Sequence, residues 1–167
     1  YEALVEIDAD LSHDPAVLPT MLGVAEYGIA LVIGSRYIPG GSVIGWPRRR
    51  TWLSRWGNRY AAIMLGLAVN DGTSGYRVYR AETLRQIGID GVQADGYGFQ
   101  IEMTYRTVQA GLSIVEVPIA FRDRVASATA GLLALLGLDI DPVRSREFIF
   151  ISSLLDHAWR AGRDVDL

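Results

Sequence analysis

The chain has 167 residues, of which half are hydrophobic and 21% charged, and its formal net charge is −3. This length predicts one main domain with a sizeable core, and the composition excludes a disordered chain. There is no cysteine, which excludes disulfides and thiolate metal sites and fits a reducing compartment. All 16 basic residues are arginine, so no mechanism can depend on a lysine.

The apolar pattern of the first part of the chain predicts alternating strands and helices. Residues 2–7 are predicted to be a strand, 15–27 a helix with Asp14 as its N-cap, and 30–35 a second, buried strand. We expect these three elements to form a β-α-β unit. Residues 39–47 are predicted to be a loop and 51–67 an amphipathic helix, because its apolar positions recur at helical spacing.

The second part of the chain continues the alternation. A turn at 71–75 precedes a strand at 76–79, helices at 81–87 and 99–110, and a strand at 113–121 that is rich in Val and Ile. A further helix is expected at 148–160. No stretch reaches the roughly 18 to 20 apolar residues that span a bilayer, so no transmembrane helix is expected. The elements together predict an α/β domain with a mixed sheet.

Two carboxylates, Asp8 and Asp10, follow the first predicted strand directly. Their i, i+2 spacing puts both side chains on one edge of the sheet, where oxygen ligands can hold a hard divalent cation. Such a cation is the usual partner of a nucleotide diphosphate. The alternative is that Asp-x-Asp only marks a turn after the strand. The pattern by itself leaves both interpretations open.

The charge is distributed unevenly along the chain. Residues 27–70 contain no acidic residue, six arginines (36, 48, 49, 50, 55 and 59) and three of the four tryptophans (46, 52 and 56). Arginine interleaved with tryptophan suits lipid headgroups, because indole rings favour the membrane interface and guanidinium groups pair with phosphate. Nucleic acid is a competing, less favoured partner, and a solvated basic face over core tryptophans is the third interpretation.

Six short blocks of the sequence carry a family resemblance. They are DADLSHDP (8–15), GSRY (34–37), GWP (45–47), DGTSGYR (71–77), GYGFQIEM (96–103) and EVPI (116–119). In order and spacing they resemble the polyprenol-phosphate (dolichol-phosphate) mannosyltransferases of glycosyltransferase family 2. The resemblance implies a partial GT-A (Rossmann-like) catalytic domain over residues 1–123, truncated at its N-terminus. Residues 124–167 do not match the family and are predicted to be a helical extension.

The resemblance also implies a reaction. Mannose would be transferred, with inversion, from GDP-mannose to the phosphate of a polyprenyl phosphate, with Mg²⁺ or Mn²⁺ as cofactor, at the inner, cytoplasmic face of the membrane. A lipid phosphate is already ionised and needs no general base. Compared with the family, the base and ribose pocket is expected to be largely missing here. Two alternatives therefore stay open: a related polyprenyl-phosphate glucosyltransferase, or a catalytically incomplete fragment that keeps an anionic-lipid-binding surface.

The family motifs imply a set of catalytic and metal-binding residues. Asp8 and Asp10 match the metal-binding pair, and Ser12 stands where a third ligand is often found. Arg36 and Arg77 match positions that meet the acceptor phosphate. Asp8, Asp10, Arg36 and Arg77 are therefore the implied catalytic set.

Further positions are implied to contact the acceptor or to shape the site. Acceptor-phosphate or lipid contacts are expected from Ser35, Arg36, Arg48, Arg49, Arg50 and Arg77, and residues 39–50 would form a mobile acceptor loop. Asp71 and Glu102 are assigned to the architecture of the site. Alternatively, Asp71 only shapes its turn and Glu102 pairs with Arg106 at i+4.

Overall fold

A computed structural model describes residues 2–8, 10–123, 150 and 153. The strands are β1 (Ala3–Glu6), β2 (Leu31–Ser35), β3 (Ser42–Ile44), β4 (Arg77–Arg80), β5 (Ile114–Pro118) and β6 (Ala120–Arg122). The helices are α1 (Leu18–Glu26), α2 (Arg48–Leu65), α3 (Ala81–Gln86) and α4 (Tyr97–Gln109), with 3-10 turns at Pro15–Val17 and Ile89–Gly91. The predicted extension over 124–167, with its helix at 148–160, lies outside the described residues apart from residues 150 and 153.

Four strands form a central mixed sheet in the order β1-β4-β2-β5. Strand β4 runs antiparallel to both β1 and β2, whereas β2 and β5 are parallel. The predicted mixed sheet is confirmed. The predicted β-α-β unit is present, since β1 and β2 both run antiparallel to β4 and are therefore parallel to each other, but β4 lies between them.

A second, two-stranded sheet pairs β3 with β6 in parallel. The sequence pattern did not predict it: β3 lies in the expected loop at 39–47, and β6 is the end of the single strand expected at 113–121. The split follows Pro118, which has no N–H to donate to a ladder. After it, Ile119 donates its N–H to the carbonyl of Ser35 (3.0 Å) and accepts from the N–H of Ser42 (2.9 Å). The chain thus turns from the central sheet to β3 at Ile119.

The central sheet buries apolar side chains on both faces. Leu31 and Ile33 of β2 belong to a core that includes Leu84 of α3 and Met103 of α4. Val32 points to the other face, into a core shared with α1. Because β2 is covered on both faces, its carboxyl end holds the following residues in a fixed position.

The helix ends agree only partly with the bounds predicted from the sequence. Asp14 accepts the N–H of Ala16 at 2.9 Å, which confirms the predicted cap, although the first turn is 3-10. Helix α2 begins at Arg48 rather than at residue 51, and it ends before Gly66, whose φ of 65° is left-handed. Helix α4 begins at Tyr97, ahead of the predicted residue 99.

Candidate functional site

The guanidinium of Arg36, just beyond β2, forms a buried ion pair with Asp71. Nε and Nη2 of Arg36 donate to the two carboxylate oxygens of Asp71, each at 2.7 Å, and the N–H of Arg36 donates to Oδ2 at 2.9 Å. Arg36 is 6% exposed and Asp71 is 0% exposed. Burial by itself lowers the pKa of Arg36, but the hydrogen bond and charge of Asp71 more than offset it, so the pKa is raised. Asp71 therefore does more than shape its turn.

The turn that carries Asp71 is itself held by polar side chains. Glu116 accepts from the N–H groups of Asn70 and Asp71, both at 2.9 Å, and from Nδ2 of Asn70 at 2.8 Å. The hydroxyl of Thr73 accepts from Nη2 of Arg36 at 3.0 Å. Glu116 of β5 therefore holds the backbone of the turn, and Arg36 holds the carboxylate of Asp71.

Three aromatic rings surround the Arg36 guanidinium. Its Cζ lies 5.1 Å from the ring centroid of Tyr37, 5.4 Å from Phe121 and 5.7 Å from Trp46, all within range of cation–π attraction. The third nitrogen, Nη1, has no hydrogen-bond partner among the described residues. One donor group of a permanently charged arginine is thus left for an anionic ligand.

Trp46, Arg50 and Asp123 form a cluster beside these rings. Oδ2 of Asp123 accepts from Nε1 of Trp46 and from Nη1 of Arg50, both at 2.8 Å. The Cζ of Arg50 lies 4.1 Å from the ring centroid of Trp46. Arg48 and Arg49, at the start of α2, are exposed to solvent. Of the three arginines assigned to the acceptor loop, Arg50 is held by the domain, and Arg48 and Arg49 are accessible to a ligand.

Asp8 and Asp10 lie at the turn after β1, where the sequence predicted a metal site. The Asp8 side chain is 53% exposed. Oδ1 of Asp10 accepts the N–H of Ser12 at 2.9 Å, and the Ser12 hydroxyl is buried without a hydrogen-bond partner among the described residues. Among all the residues that the structure describes, no three His, Cys, Asp or Glu side chains lie close enough together to form a metal site. An ion held here would therefore take further oxygen ligands from a substrate.

His13 joins the Asp8 turn to the Arg36 site. Its Nε2 lies 3.1 Å from Oδ2 of Asp8, and its own side chain is 1% exposed. The His13 ring packs 5.1 Å from the ring of Tyr76 and 5.3 Å from that of Phe121. Since Phe121 also faces Arg36 at 5.4 Å, the exposed Asp8 and the buried arginine are linked through two aromatic rings, those of His13 and Phe121.

The structure corrects the acceptor role expected for Ser35. The residue is 0% exposed. Its hydroxyl accepts the N–H of Tyr37 at 3.4 Å, and its carbonyl accepts the N–H of Ile119 at 3.0 Å. A Cβ at Gly41 would lie 2.6 Å from that same carbonyl oxygen, so the loop after β2 is packed closely against Ser35. The prediction was wrong because a residue at the end of a central strand is covered on both faces.

The structure also corrects the acceptor role expected for Arg77, which is 0% exposed. Its Nε donates to the carbonyl of Ser74 (2.7 Å), its Nη2 to that of Gly72 (2.6 Å) and its Nη1 to that of Gln100 (2.9 Å). Burial raises the pKa of Tyr79, another of its partners, to about 12, so that hydroxyl stays protonated. All three nitrogens of Arg77 are used inside the domain, and the residue ties the 71–75 turn to α4.

Glu102 pairs with Arg106, as the alternative interpretation of this position predicted. Its Oε1 accepts from Nε of Arg106 at 2.9 Å and from Nη2 at 2.7 Å. Arg106 in turn donates to the carbonyls of Gly88 (2.9 Å) and Gly91 (2.6 Å). The hydrogen bond from Arg106 lowers the pKa of Glu102, so the pair stays ionised in neutral solution. The contacts of Glu102 hold the loop before α4 in place.

Helix α2 turns an apolar face to solvent. Six of its large side chains are more than half exposed: Trp52, Leu53, Trp56, Tyr60, Ile63 and Met64. The residues that it buries are the small or polar Asn58 and Ala62. The interpretation with core tryptophans is therefore wrong for Trp52 and Trp56. Within the described part of the chain, no helix is long and apolar enough to cross a bilayer.

The mixed sheet with apolar cores on both faces agrees with the GT-A (Rossmann-like) fold that the family resemblance implied. Residues 1–88 match glycosyl transferase family 2, and the chain belongs to that family. A solved structure, M. tuberculosis glucosyl-3-phosphoglycerate synthase, superposes with a TM-score of 0.51 at 24% identity, over 84% of this chain and 51% of that one. This likeness supports the fold class.

Two curated relatives confirm the resemblance to polyprenol-phosphate mannosyltransferases. The undecaprenyl-phosphate mannosyltransferase of Micrococcus luteus is 52% identical over 124 residues, covering 74% of this chain and 51% of the relative. The polyprenol monophosphomannose synthase of Mycolicibacterium smegmatis is 48% identical over 124 residues, covering 74% and 47%. The chain thus spans about half the length of these curated relatives.

Sequence reasoning missed three residues that build the site. His13, to which the sequence analysis gives no role, contacts Asp8. Thr73 and Glu116 support the Arg36–Asp71 pair. A signal for Glu116 was present, since it is a lone carboxylate inside the apolar strand IVEVPI. A charge in such a strand needs a buried partner, which here is the backbone of the 70–71 turn.

Proposed function

We propose that this domain serves the transfer of mannose from GDP-mannose to the phosphate of a polyprenyl phosphate. The observation that carries the proposal is the ring of Phe121, which packs against Arg36 and also against His13, the hydrogen-bond partner of Asp8. The reaction needs stabilisation of a leaving diphosphate and alignment of an acceptor phosphate, and these two adjacent sites suit the two tasks. The names of both relatives support mannose as the sugar.

On the donor side, Asp8 and Asp10 are proposed to hold Mg²⁺ or Mn²⁺, with Ser12 as the third ligand. Mg²⁺ is commonly bound by one or two carboxylates together with substrate phosphates. The exposed Asp8, a carboxylate oxygen of Asp10 and an unpartnered hydroxyl fit that donor set. Bound there, the ion would neutralise charge on the departing diphosphate of GDP. The hydrogen bond between His13 and Asp8 holds one of the carboxylates in place for that role.

Gly75 offers a test of this site, because a Cβ at position 75 would lie 2.7 and 2.8 Å from the carboxylate oxygens of Asp8. The Asp8 side chain is 53% exposed and can shift with little loss of packing, so Gly75→Ala is expected to change the melting temperature by no more than about 3 °C. Moving a ligand weakens metal binding, so Mn²⁺ affinity in the presence of GDP is expected to fall about tenfold, measured by electron paramagnetic resonance titration.

The matched control for Gly75→Ala is Gly23→Ala, where a Cβ meets nothing within 4 Å. This variant is expected to bind Mn²⁺ as the unchanged protein does. Full Mn²⁺ affinity in a folded Gly75→Ala variant would argue against Asp8 as a metal ligand.

On the acceptor side, Arg36 is proposed to receive the phosphate through Nη1, with Arg48 and Arg49 contributing from the start of α2. A lipid phosphate is ionised near neutral pH and attacks without a general base, so the task of the protein is alignment. Asp71 fixes the orientation of the Arg36 guanidinium, and Tyr37, Trp46 and Phe121 enclose it. In-line attack opposite the leaving diphosphate would invert the anomeric carbon.

The apolar face of α2 is proposed to rest on the inner, cytoplasmic face of the membrane, where the lipid phosphate is presented. An amphipathic helix with exposed Trp, Leu and Ile beside arginines binds at the boundary between headgroups and acyl chains. Nucleic acid would engage the arginines and leave six large apolar side chains in water. A membrane surface can bind both the exposed apolar side chains and the arginines of α2.

Removing two large apolar side chains from α2 tests the membrane proposal. Trp52 and Ile63 are 66% and 67% exposed. Burying such a side chain gains about 1.5 to 3 kcal/mol, so the double replacement Trp52→Ser with Ile63→Ser is expected to weaken vesicle binding by about a hundredfold. Binding is measured by co-sedimentation with phosphatidylcholine–phosphatidylglycerol vesicles at physiological salt.

Tyr27, which is 93% exposed and lies outside α2, supplies the control. Tyr27→Ser is expected to bind vesicles as the unchanged protein does. Unaltered vesicle binding by the double variant, or equally tight binding of duplex DNA by the unchanged protein, would refute the membrane assignment.

A second candidate function is an anionic-lipid-binding surface without catalysis. The observation that favours it is the exposed apolar face of α2 beside the exposed Arg48 and Arg49, which can bind a lipid surface without turnover. The two candidates share α2 and Arg36 and differ in turnover. A glucosyl donor is the third possibility, and a side-by-side assay of GDP-mannose and UDP-glucose separates it from the first.

A further inference from the structure

Asn58 is a buried amide in the middle of an otherwise exposed stretch of α2. It is 5% exposed, whereas its neighbours Gly57 and Arg59 are exposed. Asparagine is a poor helix former, so its burial at this point calls for compensating interactions. The structure supplies them on the side of α2 that faces the Arg36 site.

The amide of Asn58 is fully hydrogen-bonded. Its Oδ1 accepts the N–H of Thr73 at 3.1 Å. Its Nδ2 donates to the Thr73 hydroxyl at 2.9 Å and to the carbonyl of Ser54 at 3.1 Å. One acceptor and two donor contacts are what an amide side chain needs when it is buried. The pair of bonds to Thr73 fixes both the backbone and the side chain of that residue.

Thr73 passes this constraint to the acceptor site. Its hydroxyl accepts from Nη2 of Arg36 at 3.0 Å and lies 3.5 Å from Oδ1 of Asp71. The same hydroxyl oxygen therefore accepts hydrogen bonds from Asn58 and from Arg36. A second hydrogen bond joins α2 to the residue after Arg36: the hydroxyl of Tyr37 donates to that of Ser54 at 2.7 Å. Helix α2 is thus joined to the Arg36 guanidinium through side chains that are buried or half-buried.

We propose that Asn58 is a positioning residue that sets the Arg36 guanidinium through Thr73 and so links the placement of α2 to acceptor-phosphate binding. The inference rests on the proposed function, because it takes Arg36 as the phosphate-binding group. Nη2 of Arg36 is oriented jointly by Asp71 and Thr73. When Thr73 is released from Asn58, the guanidinium keeps its charge but loses part of its fixed direction. The phosphate then meets a less preorganised site.

The link has a reciprocal consequence. If the placement of α2 favours phosphate binding at Arg36, phosphate binding at Arg36 favours the same placement of α2 to the same degree. A helix resting on a membrane and an arginine holding a lipid phosphate would then support each other. The amide of Asn58 is the point at which the two are joined.

The experiment measures the affinity of the full chain for a short, water-soluble isoprenyl monophosphate in buffer, by isothermal titration. Asn58→Ala and Thr73→Val are each expected to weaken binding about tenfold. Because both act through one connection, the double variant is expected to be no weaker than either single variant. Thr73→Ser keeps the hydroxyl and is expected to restore affinity to within about twofold.

Gly57→Ala is the matched control, since a Cβ there meets nothing within 4 Å. It is expected to leave phosphate affinity unchanged. Vesicle partitioning and Mn²⁺ affinity of all variants are expected to match the unchanged protein, which a general loss of structure would not allow. Thr73→Val keeps the shape of the side chain and serves if Asn58→Ala does not fold.

Two outcomes would overturn the inference: unchanged phosphate affinity in a folded Asn58→Ala or Thr73→Val variant, or strictly additive losses in the double variant. Arg36→Ala is included to separate this inference from the proposed function. Full phosphate affinity in Arg36→Ala would refute the acceptor role of Arg36. Loss in Arg36→Ala with no effect at Asn58 or Thr73 would refute only the positioning role.

Discussion

Asp71→Ala is expected to lower the free energy of unfolding by about 3 to 5 kcal/mol, the largest effect of any single substitution in this site. The carboxylate is 0% exposed and receives three hydrogen bonds from Arg36. Removing it leaves a buried guanidinium without its counter-charge. Chemical denaturation followed by circular dichroism measures the change, and phosphate affinity is expected to be lost with it.

The exposed ion pair between Arg80 and Glu82 is the control for this expectation. Its atoms are 4.0 Å apart, and its side chains are 43% and 78% exposed. Glu82→Gln is expected to change the free energy of unfolding by less than about 0.5 kcal/mol. A similarly small loss in Asp71→Ala would contradict the account of Arg36 as a buried, charged group.

Arg77→Lys is expected to lower the free energy of unfolding by about 2 to 4 kcal/mol, although the charge is kept. The forked guanidinium reaches the carbonyls of Gly72, Ser74 and Gln100 at once. An ammonium group on a flexible stem cannot reproduce that planar set, so buried carbonyls lose their donors. Phosphate affinity per folded molecule is expected to stay within about twofold of the unchanged protein, since Arg77 supports the fold only.

Arg85→Lys, at an exposed position of α3, is the matched control and is expected to leave stability unchanged. One result would contradict the purely structural role of Arg77. An Arg77→Lys variant that unfolds like the unchanged protein but binds phosphate much more weakly would restore Arg77 to the acceptor site.

The corrected roles of Ser35 and Arg77 show that motif spacing does not predict which side chains are accessible to a ligand. Arg36 and Arg77 both follow motif glycines and were treated alike from the sequence. The structure separates them by their partners. Among the described residues, Arg36 has the counter-charge of Asp71 and one nitrogen without a hydrogen-bond partner, whereas every side-chain nitrogen of Arg77 donates within the domain. Which contacts an arginine makes depends on the tertiary placement of carbonyls, and local sequence carries little of that information.

The elements of the fold were predictable where the signal was local. The Asp14 cap, the buried strand β2 and the C-terminal end of α4 follow from nearby residues. The pairing of β3 with β6 joins residues 42–44 to residues 120–122, and the insertion of β4 between β1 and β2 is likewise non-local. The helical period of α2 was visible in the sequence, but periodicity does not say whether an apolar face meets a core or solvent.

Transfer of radiolabelled mannose from GDP-mannose to a polyprenyl phosphate in vesicles is the measurement that tests the central claim most directly. The account predicts product that depends on Mg²⁺ or Mn²⁺, disappears with chelator and with Asp8→Ala, and is lost in Arg36→Ala. Absence of product from this chain, while the Micrococcus luteus relative is active in the same assay, would contradict the mannosyltransferase account and leave the lipid-binding function in its place.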